Sequence, residues 1–218
     1  MLADLHQLIA SSLFEEASSE DLFNPYSTIN ADLDLSNACD IRQNNLKHYI
    51  CDRDTSPGVL LLAEAPGPWG CRFSGVPITS EQQLLDPDFP LSGQQSSKEA
   101  SPHKEYSASI YWRILVPFYK HIFTWNTVPF HPHFIEKPLT IRTPRMSEIK
   151  RFLPLVAGII NAMQPKAVIA VGRKAEKALT LLEVESIYVR HPSQGGAILF
   201  EQGVREVMAS LNLDASHE

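Results

Sequence analysis

Four short apolar segments, at residues 59–63, 122–128, 167–171 and 186–190, constrain this chain more than any other feature. Predominantly apolar runs of this length belong to strands covered on both faces. Helical periodicity fills the intervals between them. Ile110, Ile114, Leu115 and Phe118 share one face, with Pro117 expected to bend its end. Ile149, Phe152, Val156, Ile160 and Met163 share another, and Pro154 is expected to split that stretch or to sit in the first turn of its main helix. Gly172 leads into a helix over 174–183, and Ala197, Phe200, Val204, Met208 and Leu211 mark a closing one. This alternation predicts an α/β fold: three αβα layers around a central four-stranded parallel sheet, joined by right-handed crossovers.

The remaining segments are less regular. Leu2, Leu5, Leu8, Ile9 and Leu13 predict an opening helix. Residues 18–35 are turn-rich, and Ser36 is expected to cap a second helix with Ala38, Ile41, Asn45 and Tyr49 along one face. Residues 86–107 read as a long irregular loop, of the kind that is functional or mobile. At 218 residues with 44% apolar content, the chain fits a single domain over 1–218, with a helical segment at 1–54 and a core at 55–211.

Composition narrows the function classes. No apolar run approaches membrane-spanning length, and the acidic N-terminal segment is unlike a signal peptide. Three scattered cysteines, Cys39, Cys51 and Cys71, fit neither a disulfide framework nor a zinc finger, so a cytoplasmic location is expected. The net charge of −6 argues against nucleic acid at first sight, but it is unevenly spread. Residues 1–54 hold 10 acids and 3 bases, whereas 136–151 hold five bases and two acids. A local basic patch binds phosphate on an acidic protein, although a solvated face explains the charge pattern equally well.

Ligands in parallel α/β sheets bind beyond the carboxyl ends of the strands. Three polar residues stand there. Glu64 follows the first apolar segment, within Ala63-Glu64-Ala65-Pro66-Gly67. A carboxylate in that position is poorly solvated and poised to titrate, although an ordinary strand-to-helix turn gives the same string. Asn126 lies near the end of the second, within Trp125-Asn126-Thr127-Val128-Pro129-Phe130-His131-Pro132-His133. Its amide offers the donor and acceptor that a pyrimidine edge requires, or it ties loops together. His131 and His133 lack a third partner at metal-binding spacing, so no metal is expected. His191 follows the fourth, within Arg190-His191-Pro192-Ser193-Gln194-Gly195-Gly196, placed to donate to developing negative charge.

In order and spacing, Glu64-Ala65-Pro66-Gly67, the Asn126 strand and His191-Pro192-Ser193 resemble the three signature motifs of the uracil-DNA glycosylase superfamily. The resemblance is to its Glu-Ala-Pro-Gly branch, in a bacterial single-domain group without an iron–sulfur cluster, and spans roughly residues 58–205. Gly70-Cys71-Arg72, Ser74-Gly75-Val76-Pro77, Arg142-Thr143-Pro144 and Ala170-Val171-Gly172-Arg173 agree with it. It implies a monomeric, monofunctional, cofactor-free glycosylase of base excision repair, acting on DNA containing uracil or other deaminated bases. The base is flipped from the stack before its glycosidic bond is hydrolysed. Glu64 would activate water and His191 would stabilise the leaving base. Asn126, Ala65, Gly67, Phe73, Ile78 and Ser193 would surround the base. Arg142, Arg173, Gln194 and Gly195 would contact DNA, with Gln194 filling the gap in the stack.

The chain departs from the family pattern at three places. Ala63 replaces a glycine. Ile78 stands where relatives carry a stacking aromatic, which leaves Phe73 or Trp69 as the platform. Gly67 replaces a tyrosine that excludes thymine in some branches, which implies a more open pocket. Two other readings stand beside the glycosylase: a DNA-binding module of the same fold without catalysis, and an unrelated α/β enzyme acting on free nucleosides.

Overall fold

The computed structural model describes residues 2–53 and 56–213. The expected boundary at 54 and 55 lies outside the described residues. The elements run α1 (Leu2–Leu13), β1 (Leu22–Phe23), α2 (Ala38–Cys51), β2 (Val59–Ala63), α3 (Cys71–Ser74), α4 (Glu81–Leu84) and α5 (Tyr106–Leu115). A 3-10 turn (Val116–His121) leads to β3 (Ile122–Asn126), β4 (His131–Pro132), α6 (Met146–Met163), β5 (Ala167–Val171), α7 (Arg173–Leu181), β6 (Ile187–Val189) and α8 (Ala197–Ser210).

The four expected strands form one parallel sheet in the order β3-β2-β5-β6. Alternate side chains explain their largely apolar character. Leu60, Leu62, Phe123, Trp125, Val168 and Ala170 enter a core with α1, α2, α6 and α7. Val59, Leu61, Ala63, Ile169, Val171 and Val189 enter a second core with α5 and α8. Both faces are thereby dry, and the architecture is the three-layer αβα predicted. Leu5, Ile9, Leu46 and Tyr49 belong to the same buried cluster as Leu60 and Leu62, so α1 and α2 are built into the core.

Local departures have physical causes. Asn37, not Ser36, occupies the cap position of α2. Pro154 neither splits α6 nor starts it; it lies within the helix on its exposed side, where a carbonyl that loses its partner is open to solvent. Pro117 ends α5 by tightening the chain into the 3-10 turn. The second apolar segment stops being a strand at Asn126, because Thr127 and Val128 turn back to donate to Ala63 O and Glu64 O, at 2.8 and 3.0 Å. Sequence reading missed a two-stranded antiparallel sheet, β1 with β4, which pairs Leu22 with Pro132 and Phe23 with His131. Two residues per strand leave no periodicity to detect.

Tyr49 and Arg53 cover the outer edge of β3. Thr124 N donates to Tyr49 Oη at 2.7 Å, and Arg53 Nη1 donates to Ile122 O at 3.0 Å. An open edge is a template for unwanted pairing, so this cover matters.

The 86–107 segment is irregular but anchored. The buried Glu81 carboxylate accepts from Ser96 N, Ser97 N, Ser97 Oγ and His103 N, at 2.7, 2.9, 2.6 and 3.2 Å. A second buried carboxylate, Asp34, faces Arg72 and Arg42 at 2.5 and 2.6 Å, and Arg42 Nε donates to Ser96 Oγ. One acid on each side thus holds the loop against α2 and α3.

Candidate active site

Sheet order sets where a cleft opens. The chain passes from β2 outward to β3, then crosses back to β5 and continues to β6. Connections leaving β2 and β5 therefore diverge, and a crevice opens at their carboxyl ends. A cleft of about 500 Å³ lies there, with Ala63, Glu64, Val171, Gly172, His191 and Ser193 among its walls. Glu64, from the centre of the sheet, and His191, from its edge, meet across this opening.

Glu64 is partly buried, and its carboxyl group makes no hydrogen bond or ion pair among the described residues. Desolvation raises its pKa, and the positive charge of Lys174 offsets part of that. Its backbone is fixed by the bond from Val128 N. Pro66 O lies 2.8 Å from His131 Nδ1, and Pro138 O lies 3.1 Å from His131 Nε2. Burial lowers the His131 pKa to about 4 against the opposing pull of these two carbonyls, so the ring is neutral and its single N–H donates to one of them. His133 is likewise engaged with Phe134 O at 2.9 Å.

His191 has a defined tautomer. Ser193 N, which can only donate, lies 3.2 Å from Nδ1, and the Ser193 hydroxyl lies 2.8 Å from it. Nδ1 must accept, so the proton of the neutral ring sits on Nε2. Burial lowers the pKa of His191, which keeps the ring neutral at neutral pH. Nε2 makes no hydrogen bond among the described residues. Ser193 thus holds the histidine. The turn behind it is tight: a Cβ at Gly196 would collide with His191 O. Gln194 adopts a left-handed φ of 52° at the exposed rim, beside Gly195 at 75°.

Asn126 lies at the end of β3, beside Ala63 in register. It is buried, its Nδ2 lies 3.8 Å from Cys71 Sγ, and its Oδ1 has no partner. It does not line the open cleft, and neither does Phe73. The Phe73 ring is fully buried between His103, at 4.1 Å, and the Arg72 guanidinium, at 4.1 Å. Ile78 does line the cleft, with Ala65 and Gly67. It holds a left-handed φ of 46°, unusual for a β-branched residue, and its carbonyl accepts from Trp112 Nε1 at 2.8 Å. Trp69 is half-exposed beside His103.

The expected DNA-contacting arginines differ. Arg142 lines the cleft, but its guanidinium grips both oxygens of Glu148, at 2.9 and 2.6 Å, and donates to His133 O and Asp21 O. Arg173 is exposed, bonded to Glu176 and stacked 4.0 Å from the Tyr188 ring. Arg190 lines the cleft and is exposed, and sequence reading did not single it out alone.

Glu105 was missed altogether. It lines the cleft, and its carboxyl group lies against Gly67 and Gly70: a Cβ on either would collide with it. The space beside Gly67 is therefore filled rather than open. The available signal was an acid at the point where the long loop meets the Tyr106 helix.

Among the described residues no helix is long and apolar enough to cross a membrane, and no cluster of three or more His, Cys, Asp or Glu side chains is placed to hold a metal ion.

The SMUG2 crystal structure from Pedobacter heparinus superposes with a TM-score of 0.65, covering 95% of this chain and 98% of that one, at 13% sequence identity. That likeness is one of fold. Among curated proteins no significant sequence match is found. The family model of the uracil DNA glycosylase superfamily matches residues 52–210. The match contains the sheet and every strand-end residue described above, and the chain belongs to the uracil-DNA glycosylase superfamily.

Proposed function

We propose that this protein is a monofunctional DNA glycosylase. It flips uracil or a related deaminated base out of DNA and hydrolyses its glycosidic bond, leaving an abasic site. The observation that carries the reading is the pairing, across one cleft, of a desolvated carboxylate at Glu64 with a neutral His191 whose free Nε2–H faces no protein partner.

The chemistry follows from those two groups. As the bond between C1′ and the base breaks, its electron pair leaves with the base and positive charge grows on the sugar. The Glu64 carboxylate offsets that charge and takes a proton from the water that attacks C1′. The Nε2–H of His191 donates to the carbonyl oxygen on which the base's negative charge collects. Asn126, with an unpaired Oδ1, supplies a donor and an acceptor for the base edge once the base enters fully. Exposed Arg190 and the Gln194–Gly196 turn face the DNA backbone and the vacated stack.

The direct test is an oligonucleotide carrying a single uracil, hypoxanthine or xanthine. Purified protein should leave alkali-labile sites in at least one. No product on any, at high enzyme and low salt, would overturn the reading. Retained binding without product would favour the non-catalytic module. Release of base from free deoxyuridine at a comparable rate would favour the nucleoside enzyme.

A further inference from the structure

The Glu105 carboxyl group stands in the cleft and the mechanism above does not use it. Glu105 occupies the cap position of α5, yet its side chain makes no capping bond. Its carbonyl serves the helix backbone, accepting from Ser109 N at 3.0 Å and Ser109 Oγ at 3.0 Å. The carboxyl group turns into the cleft instead, against the two glycines Gly67 and Gly70. Glycine at both positions makes room for it. A side chain at either would drive it out. Cys71, which follows Gly70, feels its charge and touches the Asn126 amide. The carboxyl group is thus one residue removed from the group assigned above to the base edge.

We propose that Glu105 is a specificity-determining residue, which forms the wall beside Gly67 and, as a neutral carboxyl group, bonds a polar edge of the flipped base. The inference rests on the glycosylase reading for its ligand. A neutral carboxyl group offers one O–H donor and one carbonyl acceptor side by side. That pair complements an N–H next to a C=O, the arrangement shared by uracil, hypoxanthine and xanthine. It also turns either way, so one side chain fits pyrimidine and purine edges. The ionised form has only acceptors and repels a base carbonyl.

The protonation state falls in the working range. Burial pushes the Glu105 pKa up to about 7, against a smaller opposing pull from the Ser107 hydroxyl. The charged and titratable groups that share its cleft are Glu64 after β2, Arg142 after β4, Arg173 on α7, Tyr188 on β6, and Arg190 and His191 after β6, with Cys71 on α3 in electrostatic contact and His103 two residues earlier on its own loop. Burial lowers the pKa of both His191 and His103 and raises that of Cys71 far above neutrality. Glu64 is raised as well, so a variant at Glu105 is needed to separate the two carboxyls.

The sign is fixed by the form that binds. Base binding is full below the Glu105 pKa and weakens above it, by about tenfold for each further pH unit, as the competent fraction falls. The test measures affinity for DNA with one 2′-fluoro-2′-deoxyuridine, whose glycosidic bond resists hydrolysis, relative to the same DNA with its N3-methyl derivative, which lacks the N–H that the carboxyl group would bond. This ratio removes the phosphate contribution. Across pH 6–9, wild type should lose the uracil preference. Glu105→Gln, which keeps a donor and an acceptor at every pH, should hold it constant. Glu105→Ala should be weak throughout. Identical profiles in all three overturn the proposal, as does absent preference at every pH. Faster cleavage by Glu105→Ala on every base also overturns it, because the side chain would then be an obstruction. Preference without cleavage would instead sink the catalytic reading and leave this one standing.

Discussion

The backbone N–H and the hydroxyl of Ser193 converge on Nδ1 of His191, at 3.2 and 2.8 Å, and so fix the ring proton on Nε2. Ser193→Ala keeps the first bond and loses the second. We predict a roughly tenfold slower single-turnover rate, equivalent to about 1.4 kcal/mol, with little change in DNA affinity. An unchanged rate would mean that the backbone bond alone orients the ring. Protonating His191 would turn Nδ1 into a donor, which breaks the bond from Ser193 N and reverses the one with the hydroxyl. Because its pKa is lowered, that loss should come only in acid.

Glu64→Gln preserves shape and removes the charge. The expected loss in rate is about 10²- to 10⁴-fold, with binding to uracil-containing DNA kept within a few-fold. The wild-type rate should climb with pH as Glu64 ionises through its raised pKa, and the glutamine variant should lack that limb. A rate within threefold of wild type would remove Glu64 from the chemistry.

Asn126→Ala separates function from stability. Its Oδ1 is buried without a partner, so the fold gains little from it. Losing a hydrogen bond to the base costs about 1–3 kcal/mol, or roughly 5- to 150-fold in kcat/KM. Thermal unfolding should shift by little. A large drop in Tm with unchanged catalysis would make Asn126 a structural tie.

Arg142 and Arg190 should part company in salt. Arg142 is bound by Glu148 and Asp21, and its replacement by glutamine should destabilise the fold and leave the salt dependence of DNA binding nearly unchanged. Arg190→Gln should lower the slope of log affinity against log salt by about one. The reverse pattern would return Arg142 to the DNA surface.

His131 makes stability pH-dependent. Its folded pKa is lowered to about 4, whereas the unfolded ring titrates near 6.5. The unfolded chain therefore takes up the proton first as pH falls. Stability from this group is full above about pH 6.5 and is lost progressively toward pH 4, by on the order of 3 kcal/mol. Urea midpoints of His131→Gln should fall less steeply over that window than those of wild type.

The sheet was legible because burial on both faces leaves an unbroken apolar run, and each of 59–63 and 167–171 is a strand at those bounds. The strand-end positions of Glu64 and His191 followed from the same logic. Pair interactions were not legible. Nothing in the string assigns Arg142 to Glu148, or Ser193 to His191, because these depend on where loops meet. Glu105 was hidden for a related reason. Its meaning comes from two glycines more than 30 residues away, whose missing side chains leave it room.

The position of β6 has a consequence for local opening. It is an outer strand of the four-stranded sheet, paired with β5 alone, and His191 lies two residues beyond it. An edge strand with one partner opens more readily than the central strands. On the proposed mechanism, fraying of this edge withdraws the donor for the leaving base while Glu64, at the end of central β2, stays in place, so the opened molecule is inert rather than indiscriminate.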